Sequence, residues 1–218
     1  MADEQQRRHD MIAAINETIV REGFATLKMD QIAKIMGVSR GKLYQYYPSK
    51  DAVIEAVVAR YRDFMKAQAI KQYKKGADIL NAFPQTFLNA VTLIGSNSSA
   101  FRQDLAHFYP DMYLTFNTDY RKWLTGLTAF LSAGQQANVF NSNLNPALFV
   151  IQTEATVPAL MDIQTLTERR LFIDDVLRDY FKMIISEIVI PEKQATVDLH
   201  DVAEPLDHLI AKYQRAFD

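Results

Sequence analysis

Between residues 29 and 47 the chain allows little besides two short helices joined by a tight turn. Ile32 and Ile35 fall at helical spacing in a run from about 29 to 36, and Gly37 follows where a left-handed residue ends a helix. Ser39 supplies a side-chain oxygen for the free N–H groups of a second run, 40 to 46 or 47, which Pro48 stops because it lacks an N–H. An earlier helix, about 5 to 21, carries Ile12, Ile15 and Ile19 on one face. Three helices whose last two are joined by a short turn containing Gly make a helix-turn-helix, a unit that lays its final helix in the DNA major groove. Ala33 is small where the two helices approach, Val38 and Leu43 are apolar pegs, and Tyr47 fills the space between the third helix and the first. On the other face Arg40, Gly41, Lys42, Tyr44, Gln45 and Tyr46 present hydrogen-bond donors.

Downstream the pattern stays helical. Only 7 Gly and 7 Pro occur in 218 residues, which disfavours folds built from many tight turns, and the expected class is all-α. Ser49 opens a fourth helix, expected from 50 to about 75. Further helices are expected at about 78 to 94, 99 to 108, 110 to 133 and 145 to 161. A capping box at Thr165 and Glu168 is expected to open a helix over 171 to 190, and an amphipathic helix over 198 to 217 follows. The division expected is a helix-turn-helix domain over 1–50 and a larger helical domain over 51–218.

Charge is unevenly spread although the net value is only -2. Residues 28 to 50 hold Lys28, Lys34, Arg40, Lys42 and Lys50 against Asp30 alone, the footprint of an anionic partner. With no Cys, disulfides, thiolate metal sites and thiol nucleophiles are excluded. His9, His107, His200 and His208 lie far apart, and neither a Gly-rich phosphate loop nor a nucleophile motif is present, so no metal, no cofactor and no catalytic site are expected. Residues 1 to 10 lack the apolar core of a secretory signal and no stretch reads as a membrane span, which predicts a cytoplasmic protein with no membrane partner.

With Gly37, Val38, Ser39, Gly41, Leu43, Tyr44, Tyr46, Tyr47, Ser49 and Lys50 in place, after Gly23-Phe24 and Asp30-Gln31-Ile32-Ala33, the chain resembles the TetR family of bacterial transcriptional regulators over about residues 8 to 55. The resemblance implies a homodimeric, ligand-responsive DNA-binding protein, a repressor released from double-stranded operator DNA by a small apolar or aromatic effector. It also implies base contacts from Arg40, Gly41 and Gln45, since Arg can fork onto guanine and Gln onto adenine, and phosphate contacts from Lys42, Tyr44, Tyr46 and Lys50. Two positions depart from the family pattern. Lys28 stands where a Ser or Thr usually caps the second helix, and Lys42 replaces a common Thr.

Tyr109, Tyr113, Phe116, Tyr120, Trp123, Leu127 and Phe130 recur at alternating spacings of four and three, one seam of a long helix. Such a seam is either ordinary core or the wall of an apolar ligand cavity. The resemblance favours the cavity, with Phe87, Val91, Phe101 and His107 facing the same space as Tyr113, Phe116, Tyr120 and Trp123. Glu154 reads equally as a solvent-facing group or one at a subunit interface. The dimer contact is expected along the helices opening at Asn145 and about residue 166. The competing class is an all-helical small-molecule carrier or enzyme without DNA activity, which would have no use for Arg40, Lys42, Tyr44 and Lys50 together.

Overall fold

Side-chain caps fix where the first helices start. The structure, a computed structural model, describes residues 2–214. It begins with α1 (Ala2–Glu22), α2 (Met29–Ile35), α3 (Arg40–Tyr46) and α4 (Lys50–Ala67). Ser39 Oγ accepts from the Lys42 N–H at 3.2 Å and Ser49 Oγ from the Ala52 N–H at 3.2 Å, as expected of N-cap serines. Lys28 offers α2 no acceptor. Instead Gln31, in the first turn, reaches back with Oε1 to the Lys28 N–H at 2.9 Å, the reciprocal half of a capping box.

The chain continues through α5 (Gly76–Gly95), α6 (Ser99–Phe108), α7 (Pro110–Gln136), α8 (Pro146–Leu160), α9 (Ile163–Glu168), α10 (Ile173–Ile188), α11 (Pro191–Gln194) and α12 (His200–Gln214). No strand occurs among the described residues, only one isolated bridge between Phe140 and Val189. The all-α expectation holds.

Three boundaries differ from the sequence expectation. α4 stops at Ala67, and residues 69–74 are irregular. Lys71 and Lys75 would be like charges one turn apart, and no acid lies between 66 and 75 to pair with them, so a continued helix would lack side-chain support. Thr165 and Glu168 sit inside α9, whose cap is Asp162, accepting from the Thr165 N–H at 2.8 Å. α10 opens at Ile173 without a side-chain cap, its first turn favoured instead by Asp174 and Asp175 at the positive end of the helix dipole. α12 was expected to reach residue 217; it is described to Gln214, and 215–217 lie outside the described residues.

The helices form two compact units. The first joins residues up to Gln68 with Ser96–Tyr120; the second joins Ala69–Gly95 with residues from Arg121 onward. The first unit therefore takes in α6 and the start of α7 besides α1 to α4. Its core is Ile12, Ile15, Ile19, Phe24, Ile32, Leu43, Val57 and Phe101, all at most 5% exposed. Each such side chain contributes on the order of 1.5–3 kcal/mol by leaving water. In the second unit α5 lies against α8 and α12, and the α10 stripe Ile173, Leu177, Phe181, Ile184 and Ile188 is buried.

Candidate nucleic-acid interface and effector residues

The turn between α2 and α3 is built by the residues that the spacing singled out. Gly37 has φ +67°, and Val38 N–H returns to Ala33 O at 3.0 Å, closing the turn. Ala33 and Leu43 are buried, and Tyr47 seals α3 to α1 by donating its hydroxyl to Arg8 O at 3.2 Å. Burial raises the Tyr47 pKa above its ordinary value, with the Arg8 charge opposing the shift. Those contacts leave the opposite face of α3 free.

Arg40, Gly41, Lys42, Tyr44 and Gln45 are all exposed on that face, and Tyr46 is half-buried. Arg40 forms an ion pair with Asp30 at 3.1 Å, and its guanidinium lies 5.6 Å from the Tyr44 ring centroid. Both partners of the pair are largely exposed, so it contributes about 0–1 kcal/mol and gives way to a stronger acceptor. Gly41 has open space: a Cβ there would meet nothing within 4 Å. Tyr46 is held by Arg8, whose guanidinium lies 5.5 Å from the ring centroid and donates to Tyr46 O at 2.9 Å.

Lys50 already has partners within the fold. Its ammonium donates to Ala25 O at 3.1 Å and lies 5.8 Å from the Phe24 ring centroid, so it is committed to the turn after α1. Desolvation lowers its pKa, opposed by the nearby Asp104 and Asp51 charges. One bond to Ala25 O leaves two of the three ammonium N–H groups for a phosphate.

Sequence reasoning missed Arg8 and Asp104. Arg8 is one of two adjacent exposed arginines on α1, and nothing in its spacing marks it. Asp104 Oδ2 accepts from Phe24 N–H at 2.5 Å and Ala25 N–H at 2.7 Å, a pairing 80 residues apart in the chain. Around that turn Phe24 contacts the Phe101, Phe108 and Tyr109 rings, and the Tyr109 hydroxyl donates to Asp51 Oδ1 at 2.5 Å. Arg62 Nε meets Asp119 Oδ2 at 2.6 Å, tying α4 to α7.

The eight residues assigned to an effector fall into both units. In the first, Phe101 and Phe116 lie edge to face at 5.6 Å, Tyr61 stands 5.1 Å from Phe116, and Phe116 stacks on Tyr120 at 6.4 Å. Those rings fill one another's space. Tyr113 is half-buried, and His107 is exposed with its ring edge-on to Phe108. In the second unit Phe87 is enclosed by Phe83, Phe149, Tyr180 and Phe181, while Val91 and Trp123 are buried. Their arrangement is that of packed core. Glu154 is half-buried on α8.

Among the described residues no cluster of His, Asp and Glu is arranged to hold a metal, and no helix is long and apolar enough to cross a membrane. The exposed apolar side chains include Leu148 and Ile151 on α8, Met183 on α10, and Phe172 just before α10, all more than 60% exposed.

Residues 11–57 match the family model described as bacterial regulatory proteins, tetR family. An HTH-type transcriptional regulator of Bacillus subtilis, YvaF, is 24% identical over 194 residues, covering 84% of this chain and 96% of that protein. The fold is similar to that of CprB from Streptomyces coelicolor, solved in complex with its operator sequence, with a TM-score of 0.60 and 14% identity over 94% of this chain and 98% of that one. It is similar too to the ketosteroid regulator KstR2 of Mycobacterium tuberculosis, with a TM-score of 0.57 and 16% identity over 84% and 95% of the two chains. A transcriptional regulator from Saccharomonospora viridis in complex with choline gives a TM-score of 0.57 and 18% identity over 85% and 99%.

Proposed function

We propose that this chain, which belongs to the TetR family of bacterial regulatory proteins, is a homodimeric repressor that leaves its operator when a small effector binds. The observation that carries the reading is the exposed donor face of α3: Arg40, Gly41, Lys42, Tyr44 and Gln45 point away from a core that Ala33, Leu43 and Tyr47 have closed. Arg40 and Gln45 read base edges, Gly41 lets the backbone come close, and Lys42, Tyr44 and Tyr46 hold phosphates. Lys50 supports the turn after α1 through Ala25 O and has two further N–H donors to offer a phosphate.

Two copies set two α3 helices about 34–36 Å apart, one turn of duplex. The dimer forms through the outer faces of α8 and α10, whose Leu148, Ile151 and Met183 a lone chain leaves in water. Functionally, residues 1–50 serve DNA and 51–218 serve the effector and the dimer, acting in the cytoplasm where the operator lies. The reading is of a regulator and not of an enzyme. Phe87, Val91, Phe101, His107, Tyr113, Phe116, Tyr120 and Trp123 become effector walls only if these rings part to admit a ligand, a displacement that buried Trp123 would report as a change of emission.

The test is an electrophoretic shift with the protein's own promoter fragment. A specific shift is expected, weakened by Arg40→Ala by about 1–3 kcal/mol with relaxed preference at one base pair per half-site. A chain that shifts no promoter fragment, or an Arg40→Ala loss equal on all sequences, speaks against the reading.

A further inference from the structure

Above the second half of α7 the irregular segment 69–74 roofs a cavity of about 290 Å³, whose lining includes Ile70, Lys71, Tyr73, Gly126, Ala129 and Phe130. Its floor is a trough. Residues 126, 129 and 133 share one face of α7, and there the side chains shrink to hydrogen or methyl. Gly126 costs a helix interior roughly 1 kcal/mol relative to Ala, yet a Cβ on it would meet only Ile70 at an ordinary 3.7 Å. Packing within the protein does not require glycine there; an open trough does. The end wall is aromatic, with Tyr73 and Phe130 edge to face at 6.1 Å.

Charge completes the description. Residues 66 to 75 contain Lys66, Lys71, Lys74 and Lys75 and no acid. Lys66 pairs with Asp63 at 3.3 Å, whereas Lys71, Lys74 and Lys75 have no carboxylate partner among the described residues. Lys71 is both exposed and part of the cavity lining.

We propose that this cavity binds a small organic carboxylate, a single aromatic ring or short acyl chain whose body lies in the α7 trough and whose anion meets Lys71, and that this molecule is the effector. The volume stands at the lower end of the roughly 300–1,000 Å³ of small-molecule sites, which limits the ligand to that size. The apolar floor and aromatic wall take the body, and Lys71, which lines the cavity and has no carboxylate partner among the described residues, selects the charge. Occupancy has a direct route to DNA along the chain: Ile70 follows the last residue of α4, Ala67, by three positions, and α4 starts at Lys50, four positions after α3 ends. A ligand that reorders 70–73 acts on the end of the helix that carries α3. The effector role rests on the regulator reading above; the binding site does not.

The experiment screens benzoate, phenylacetate and hexanoate against the full chain by saturation-transfer NMR, with their amides as neutral controls. At least one acid is expected to bind, its amide at least tenfold more weakly. Lys71→Gln is expected to lower the acid's affinity about tenfold and leave the amide's unchanged. Ala129→Phe, at an exposed position that tolerates bulk, is expected to abolish both. Binding by none of the acids, or binding that neither variant alters, overturns the site. The promoter shift is then repeated with the bound acid: release of DNA supports the effector role, and an unchanged shift at saturation overturns it. A chain that shows no shift without acid counts against the regulator reading alone, while the two variants still decide the cavity.

Discussion

The Asp104 carboxylate lies 2.5 Å from the backbone nitrogen of Phe24, and the same oxygen also takes the Ala25 N–H at 2.7 Å. α6 thus holds the turn between α1 and α2 by two charge-assisted bonds, and the turn is shaped for it. Gly23 has φ +81°, and a Cβ there would stand 2.5 Å from the Asp104 oxygen. Asp104→Ala is therefore expected to destabilise the chain by about 1–3 kcal/mol, since the partly buried Phe24 N–H loses its acceptor and the exposed Ala25 N–H turns to water. Gly23→Ala should cost at least as much, through its backbone conformation and the collision together. Denaturant unfolding checks both; a Gly23→Ala protein as stable as the parent would show that the turn reshapes freely.

Gly41 separates what the fold needs from what DNA needs. Open space surrounds it, so Gly41→Ala is expected to raise stability by roughly 0.5–1 kcal/mol by restricting the unfolded chain. The same methyl group stands where the backbone would meet a base edge and should weaken operator binding. Paired unfolding and promoter-shift measurements check this, and a variant gaining stability with unchanged DNA affinity would remove Gly41 from the interface.

Lys42 and Lys50 should part company. Lys42 is exposed and pairs with no acid among the described residues, so Lys42→Ala is expected to reduce the salt dependence of DNA binding by about one phosphate contact. Lys50 supports Ala25 O, so Lys50→Ala should lower thermal stability as well as DNA affinity. Salt titrations beside melting curves decide it: equal loss of DNA affinity with unchanged melting would return Lys50 to a plain phosphate role.

How far the sequence carried depended on the range of the interactions involved. Gly37, Ser39, Pro48 and Ser49 act within four residues of themselves, and the α2 to α4 boundaries they imply at those points are the ones observed. The end of α4 was not legible in this way, because no Gly or Pro marks it and the repulsion of Lys71 and Lys75 is weak. Asp104 was invisible, since its partners lie 79 and 80 residues away. The aromatic seam had the right period for two readings, and only the contacts of Phe116 with Tyr61, Phe101 and Tyr120 show the rings packed against one another.

Neighbouring residues on α10 should give opposite phenotypes. Ile184, 1% exposed, belongs to the buried stripe, and a carboxylate there has no partner; Ile184→Asp is expected to unfold the second unit rather than only part a dimer. Met183 is 65% exposed, so Met183→Asp should leave circular dichroism intact and yield monomers in sedimentation. Leu148→Asp on α8 should behave as Met183→Asp does. A dimeric Met183→Asp, Leu148→Asp double variant would place the subunit contact on another face.

Tyr180 makes the second unit sensitive to alkali. Its hydroxyl is buried without a hydrogen-bond partner among the described residues, and the nearby Thr153 Oγ1 donates to Phe149 O at 2.9 Å. Burial, opposed by Thr153 and reinforced by the Glu187 charge, pushes its pKa from 10.0 up to about 12. The sign follows from where the proton is held. Below pH 10 both folded and unfolded chains keep it; between about 10 and 12 the unfolded chain releases it while the folded chain does not, so unfolding is increasingly favoured as pH rises. Tyr180→Phe removes this titration along with an unsatisfied buried oxygen. It is expected to be neutral or stabilising at pH 7 and to flatten the fall of stability above pH 10. Urea unfolding of both proteins from pH 7 to 11 checks this. A Tyr180→Phe protein that loses more than about 1 kcal/mol at pH 7 would mean that the hydroxyl holds a bond worth keeping, and the alkaline slope would then belong to other groups.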